Sequence, residues 1–167
     1  MEIRSAVDAD LVGVNDVYNY YAVNHQATFD LEPVSIEARR EWASHYAPTG
    51  GHRLLVAVDG NSVLGYATSS PFRDRPAYDQ TVETSVYLAP DACGRGVGRT
   101  LYDALFTTLR DEQLHRAIAL IAVPNDASTA LHARCGFTKV GHISEAGWKL
   151  GRWWDITWWE KPLPAPS

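Results

Sequence analysis

The sequence predicts one mixed α/β domain of the α+β kind, and three observations carry that prediction. Residues 82–88 alternate Val82, Thr84, Val86 and Leu88 with Glu83, Ser85 and Tyr87, a strand pattern that runs through a glycine loop into a helical row of Val97, Leu101, Leu105 and Leu109. Two β-rich runs, 53–59 and 62–70, meet at Asp59-Gly60-Asn61, a hairpin signal. The run 117–123 is almost wholly apolar, as expected of a strand covered on both faces.

A chain of 167 residues at 46% hydrophobic suits one core-bearing domain, here 1–161, followed by a proline-rich tail over 162–167 that is expected to fray. A formal charge of −5 argues against nucleic acid as the main partner. No apolar run approaches the ~18 residues that span a bilayer, and no signal core opens the chain, so no membrane partner is expected. Cys93 and Cys135 read as free thiols in a reducing cytosol, which predicts a cytoplasmic protein. The histidines show no paired spacing, so no metal site is expected.

In order, 2–7 reads as a first strand. Asp8 is placed to cap a helix over 9–22, with Leu11, Val14, Val17 and Tyr18 on one face. Tyr18, Tyr20 and Tyr21 crowd its end as packing residues. A loop over 24–33 carries Phe29. Ser35 caps a second helix reaching about residue 46, with Glu37 in the dipole-favoured first turn. After the hairpin, 71–79 is a polar loop. Ala89-Pro90-Asp91 breaks the 82–88 strand, because proline cannot donate to a ladder. Pro124-Asn125-Asp126 turns the chain into a short helix over 128–135, which Gly136 stops. Residues 138–144 form a strand, Gly147 a turn, and 152–159 a last strand rich in tryptophan. Those tryptophans fit a core or a subunit contact better than a stacked ligand.

Chemistry concentrates at Gly94, Gly96 and Gly98. A glycine loop opening a helix leaves N–H groups uncovered at a positive dipole end, suited to a phosphate or pyrophosphate. Arg99-Thr100 follows Gly98, so the lysine of a P-loop is absent. The G-x-G-x-G spacing, with no acid closing 117–123, disfavours a dinucleotide fold.

Two blocks then combine. Cys93-Gly94-Arg95-Gly96-Val97-Gly98 resembles the Q/R-x-x-G-x-G/A acyl-CoA motif of the GCN5-related N-acetyltransferase (GNAT) superfamily. Residues 125–137, from Asn125 to Gly136-Phe137, resemble its second block. The likeness is closer to the phosphinothricin and methionine sulfone acetyltransferases, from Thr28-Phe29 through Tyr78-Asp79 and Val123-Pro124-Asn125-Asp126 to the tryptophan-rich strand. It implies a mostly antiparallel twisted sheet of about seven strands with flanking helices, splayed at its central strands by a bulge. It also implies acetyl-CoA as cosubstrate, a small amino-acid acceptor and, with the tryptophan strand, a homodimer. Two positions depart from the superfamily pattern: Cys93 stands where glutamine or arginine is usual, and His132 stands where a tyrosine often serves as general acid.

The resemblance assigns roles residue by residue. Gly94, Arg95, Gly96, Val97, Gly98 and Arg99 hold the pyrophosphate by backbone N–H groups, with charge from the two arginines. Val86, Tyr87 and Leu88 pair by backbone with the pantetheine arm, as an added strand does. Asn125 and Ser128 lie on its other side. Glu83, a carboxylate in an apolar strand, is the candidate general base. His132 either protonates the leaving thiolate or packs at a helix end. Arg73, Arg75 and Tyr78, with Glu83, meet the acceptor, since guanidinium forks suit carboxylate, phosphinate or sulfone oxygens. Phe29 walls the pocket, from this chain or a neighbouring subunit. The competing functions are a non-catalytic acyl-CoA-binding module, a nucleotide-binding protein and a protein N-terminal acetyltransferase.

Overall fold

The computed structural model describes residues 1–163, and β2 (Arg53–Asp59) shows how its layers are arranged. Leu55 and Ala57 enter one core cluster, while Leu54, Val56 and Val58 enter another on the opposite face. The first cluster is built under α3 (Val97–Thr108), whose predicted row of Val97, Leu101, Leu105 and Leu109 is at most 3% exposed. The second is built under α1 (Leu11–Asn24) and α2 (Ile36–Ala43). β2 is therefore the strand covered on both faces, which explains its continuous burial.

The remaining strands are β1 (Glu2–Ser5), β3 (Ser62–Pro71), β4 (Thr81–Leu88), β5 (Arg116–Val123), β6 (Thr138–Lys149) and β7 (Arg152–Pro162). They form one seven-stranded sheet in the order β1-β2-β3-β4-β5-β7-β6. Every adjacent pair is antiparallel except β4 with β5. α4 (Asp126–Arg134) follows β5. Among the described residues, no helix is long and apolar enough to cross a membrane. No group of three or more His, Cys, Asp or Glu is arranged to hold a metal ion among the described residues.

Several expectations need correcting. Asp8 caps nothing. The chain makes a 3-10 turn over Asp8–Asp10, because the Asp10 carboxylate accepts the Val7 N–H at 2.8 Å and is gripped by Arg4 at 2.6 and 2.9 Å. Ser35 does cap α2, accepting from Ala38 N–H at 3.2 Å. That helix stops at Ala43, where the Ser44 hydroxyl donates to the Glu41 carbonyl at 2.6 Å. β5 alternates instead of being covered on both faces: Ala117, Ala119 and Ile121 are buried, but Leu120 is 39% exposed.

Gly147 is not a turn but lies within β6, opposite Trp154. The reversal is at Leu150-Gly151, whose φ values of 52° and 74° suit a primed hairpin turn. A bulge at Ile143/Gly147 precedes it, pinned by Glu145 N–H donating to Asp155 at 2.8 Å. At the C-terminus Pro162 belongs to β7, and Leu163 is buried with its N–H on the His115 carbonyl at 3.0 Å. The rest of the predicted tail, 164–167, lies outside the described residues.

Candidate active site

The site begins where the sheet comes apart. β4 pairs with β5 only over Thr81, Val82 and Glu83 against Arg116, Ala117 and Ile118. Beyond Glu83 the strands diverge and leave a groove of about 520 Å³ between them, walled by α1, the glycine loop and α4. The register irregularities of the described sheet lie in the β2/β3 and β6/β7 pairs, so the fork is not made by a bulge between β4 and its partners.

Backbone alternation decides what β4 offers the groove. Ala89 N–H donates to the Leu64 carbonyl at 2.9 Å, and Leu88 stands opposite Gly65. Odd-numbered residues of β4 thus spend their main-chain groups on β3, and Val86 and Leu88 turn theirs toward the gap. Tyr87 is a correction: its backbone belongs to β3, although the residue lines the groove. The Leu88 carbonyl is taken by the Tyr21 hydroxyl at 2.7 Å. What remains for an added extended chain is the Val86 N–H and carbonyl and the Leu88 N–H.

At the far end Gly94 (φ 74°) and Gly96 (φ 81°) precede α3, and a Cβ on either would meet nothing within 4 Å. Open space therefore lies over backbone whose conformation most side chains avoid. Gly96 sits just before the helix, so the N–H groups of Val97, Gly98 and Arg99 have no partner within it. That is an anion cradle, and it fits the diphosphate of an acyl-CoA. Gly98 serves a second purpose, since a Cβ there would press on Leu131 at 3.1 Å and Leu88 at 3.3 Å. The Val97 side chain is core, at 3% exposure. Arg99 lines the groove and pairs with Asp103 at 3.5 Å across its own helix. Arg95 points away, its guanidinium near the Asp91 carbonyl at 3.4 Å.

Across the groove, Asn125 caps α4 by accepting the Ser128 N–H at 3.1 Å, so its oxygen is used and its amide NH₂ is left. Ser128 and His132 line the same wall. His132 is 4% exposed, and both ring nitrogens are engaged: Nδ1 with the Ser128 carbonyl at 2.8 Å, Nε2 with the Tyr102 hydroxyl at 2.9 Å. A carbonyl only accepts, so Nδ1 carries the proton and Nε2 accepts from Tyr102. Burial holds the imidazole below its usual pKa and hence neutral. This is the setting of a packed helix-end histidine and leaves no free proton for the groove.

Glu83 is the last residue of β4 paired with β5, at the apex of the fork. Burial pushes its carboxyl above the ordinary carboxylate range, Arg73 pulls it partly back, and no hydrogen bond offsets the burial. Its face of β4 also carries Ser85 and Tyr87. Those two residues line both the groove and a second cavity of about 270 Å³ under α1 and α2. Ser70, directly across from Glu83 on β3, lines that chamber too.

The acceptor residues are only partly gathered. The Arg73 guanidinium stacks over Phe72 (4.3 Å) and Trp158 (5.6 Å), and the Tyr78 ring meets Phe72 edge-on at 5.5 Å. Arg75 is exposed, opening the 3-10 turn Pro76–Tyr78. Phe29 walls neither cavity. Its ring lies on Gly147 of β6, where a Cβ would come within 2.6 Å. Reading the sequence for packing missed Tyr21, a side chain that closes one carbonyl of the fork. A tyrosine run at a helix end gives no signal of that bond.

A forked strand pair leading from a partly buried carboxylate to free helix N–H groups defines an acyl-CoA-dependent transferase. Residues 3–158 match the acetyltransferase (GNAT) domain family. The chain belongs to that family, and it is an acetyl-CoA-dependent N-acetyltransferase. It is 51% identical to a phosphinothricin N-acetyltransferase of Streptomyces coelicolor over 98% of this chain and 96% of that one. It is 38% identical to an L-methionine sulfoximine/L-methionine sulfone acetyltransferase of Pseudomonas aeruginosa, over 96% and 94% of the two chains. Among solved structures, a phosphinothricin acetyltransferase from Sinorhizobium meliloti in complex with acetyl-CoA superposes with a TM-score of 0.91 at 34% identity, covering 99% of this chain and 90% of that one.

Proposed function

We propose that this enzyme acetylates the α-amino group of a small amino acid or analogue of the phosphinothricin, methionine sulfone or methionine sulfoximine type. The observation that carries the mechanism is Glu83, half-buried at the fork apex with a raised pKa. Its carboxylate takes a proton from the acceptor ammonium, which frees the nitrogen lone pair. The amine then attacks the thioester carbonyl carbon, the C–N bond forms, the nitrogen gives up its second proton to water, and the C–S electron pair leaves with the thiolate. A thiolate of ordinary pKa near ~8.5 departs without an obligatory acid and takes its proton from water. His132 accordingly serves as a positioning residue, tying α4 to α3 through Tyr102.

The acceptor class is supported by the names of the relatives and by a loop carrying Arg75 and Arg73, the second of which acts on Glu83. The bare β6–β7 face supports a homodimer. Trp148 and Trp153 stand opposite each other there at 54% and 51% exposure, an uncovered aromatic pair. The free Cys93 and Cys135 support a cytoplasmic location.

The test is thiol release from acetyl-CoA against a panel of phosphinothricin, methionine sulfone, methionine sulfoximine, ordinary amino acids and short peptides. Turnover with the first three supports the proposal, and turnover with peptides alone overturns it in favour of protein N-terminal acetylation. Arg75→Ala is expected to raise KM for the amino acid and leave acetyl-CoA affinity unchanged. Equal loss of both would remove Arg75 from the acceptor site.

A further inference from the structure

The chamber under α1 and α2 holds a charge that no ion pair among the described residues neutralises. Arg39 is 3% exposed, and its guanidinium is sandwiched between the Tyr18 ring at 4.4 Å and the Trp42 ring at 4.5 Å. Its one side-chain hydrogen bond runs from Nε to Asn15 at 3.1 Å. It takes part in none of the ion pairs of the described residues. Asp30, which lines the same chamber, is turned to the Tyr18 hydroxyl at 2.6 Å. Every fully enclosed side-chain nitrogen or oxygen in the described residues has a partner. The two terminal nitrogens of Arg39 have none, so they open into the cavity.

A buried cation without a counter-ion is costly, and the two aromatic faces offset only part of that cost. The edge left free is the planar fork that binds carboxylates bidentately. We propose that Arg39 is the carboxylate-binding residue of the acceptor site. The proposal rests on the amino-acid reading above and deepens it. The cavity, about 270 Å³, sits just below the ~300–1,000 Å³ range of small-molecule sites and suits a single amino acid rather than a peptide chain. Its other end reaches the base, because Ser70 in its wall stands opposite Glu83, with Cβ atoms ~5 Å apart in such pairs. An α-amino acid with its carboxylate on Arg39 therefore has its amine directed along the Ser70–Ser85 wall toward Glu83. Arg73 and Arg75, outside this chamber, are left for the oxygens of the acceptor's side chain.

The test compares L-methionine sulfone with its decarboxylated amine in the wild type, Arg39→Gln and Arg39→Lys. Arg39→Gln is expected to raise KM for the amino acid by 30-fold or more, with KM for the decarboxylated amine and for acetyl-CoA unchanged. Arg39→Lys keeps the charge without the fork and falls between. Should Arg39→Gln fail to fold, the lysine variant decides, since only the amino acid's KM moves if Arg39 binds the carboxylate. Equal losses for amino acid and amine, or none, overturn the proposal. Ligand-observed NMR with propionate, without acetyl-CoA, separates this idea from the catalytic reading. Propionate binding that Arg39→Gln abolishes supports the anion site even if no amino acid is turned over. Propionate binding that is absent, or unchanged by the variant, defeats it.

Discussion

The groove and the chamber that meet at Ser85 and Tyr87 are built from different materials. The groove presents main chain: Val86 N–H and carbonyl, Leu88 N–H, and the first N–H groups of α3, over glycines that carry nothing to obstruct them. The chamber presents side chains, with Arg39 between aromatic rings and hydroxyls from Tyr46, Ser70 and Thr68 around it. A main-chain surface recognises what any acyl-CoA shares, an amide-bearing arm and a diphosphate, and tolerates side-chain change. A side-chain surface recognises one acceptor and does not. Glu83 stands at the junction, and in the proposed mechanism it is the group that both halves require.

That contrast puts the largest expected effect at the junction. Glu83→Gln should lower kcat/KM for the acceptor by ~10²-fold or more, the range general bases supply. Acetyl-CoA binding should be unaffected. Burial raises the Glu83 pKa, so the wild-type rate should climb with pH as the carboxylate forms, through a midpoint above the usual carboxylate range. The variant should lose that limb. A pH–rate profile that keeps it would move the base elsewhere.

His132 tests whether the groove wall is chemistry or scaffold. His132→Asn breaks a buried hydrogen bond to Tyr102, a loss of about 1–3 kcal/mol of stability. The wild type carries a pH signature here. The folded-state pKa is depressed, so the unfolded chain binds the proton first and stability falls as pH drops below ~6.5. Denaturant melts at several pH values should show this slope flattened in the variant, with kcat near wild type in folded protein. A collapse of kcat without loss of stability would restore His132 as the acid.

The groove's dependence on uncovered backbone predicts a smaller loss from Gly96→Val. A β-branched residue at φ 81° costs about 1–2 kcal/mol of strain and fills the space over the cradle. Acetyl-CoA affinity should fall roughly tenfold, about 1.4 kcal/mol, with acceptor KM unchanged. Isothermal titration with CoA reads this directly, and an undiminished affinity would place the diphosphate elsewhere.

The two halves also differ in how openly the chain announces them. Strand, glycine loop and helix are contiguous over 81–108, and the α3 row, the hairpin at 59–62 and the Asn125 cap are all local signals. Arg39, Ser70 and Tyr87 come together only through α2 packing and β3/β4 register, which no short-range pattern encodes. Glu83 was legible as a carboxylate out of place in an apolar strand. Arg39 was not, because arginine in an exposed-looking helix is ordinary until Tyr18 and Trp42 close around it. The error at Gly147 has a similar origin. Glycine reads as a turn locally, yet here it makes room for the Phe29 ring from a loop over 100 residues earlier.

Tyr21 is a place where the main-chain edge of the groove is closed by a side chain, and it gives the finest test of the contrast. Its hydroxyl donates to the Leu88 carbonyl at 2.7 Å and lies 3.9 Å from the Cys93 sulfur. Burial pushes its pKa well up, so it remains a donor throughout the working pH range. Tyr21→Phe removes one neutral hydrogen bond, worth ~1 kcal/mol, and leaves Leu88 with both main-chain groups free toward the gap. If the hydroxyl merely pins the strand, acetyl-CoA affinity should drop about fivefold with kcat unchanged. If the freed carbonyl instead finds a new partner in the bound arm, affinity should hold or rise. The second result would show that Tyr21 limits how much of the fork the cosubstrate occupies, and that even the backbone half of the site is edited by a side chain.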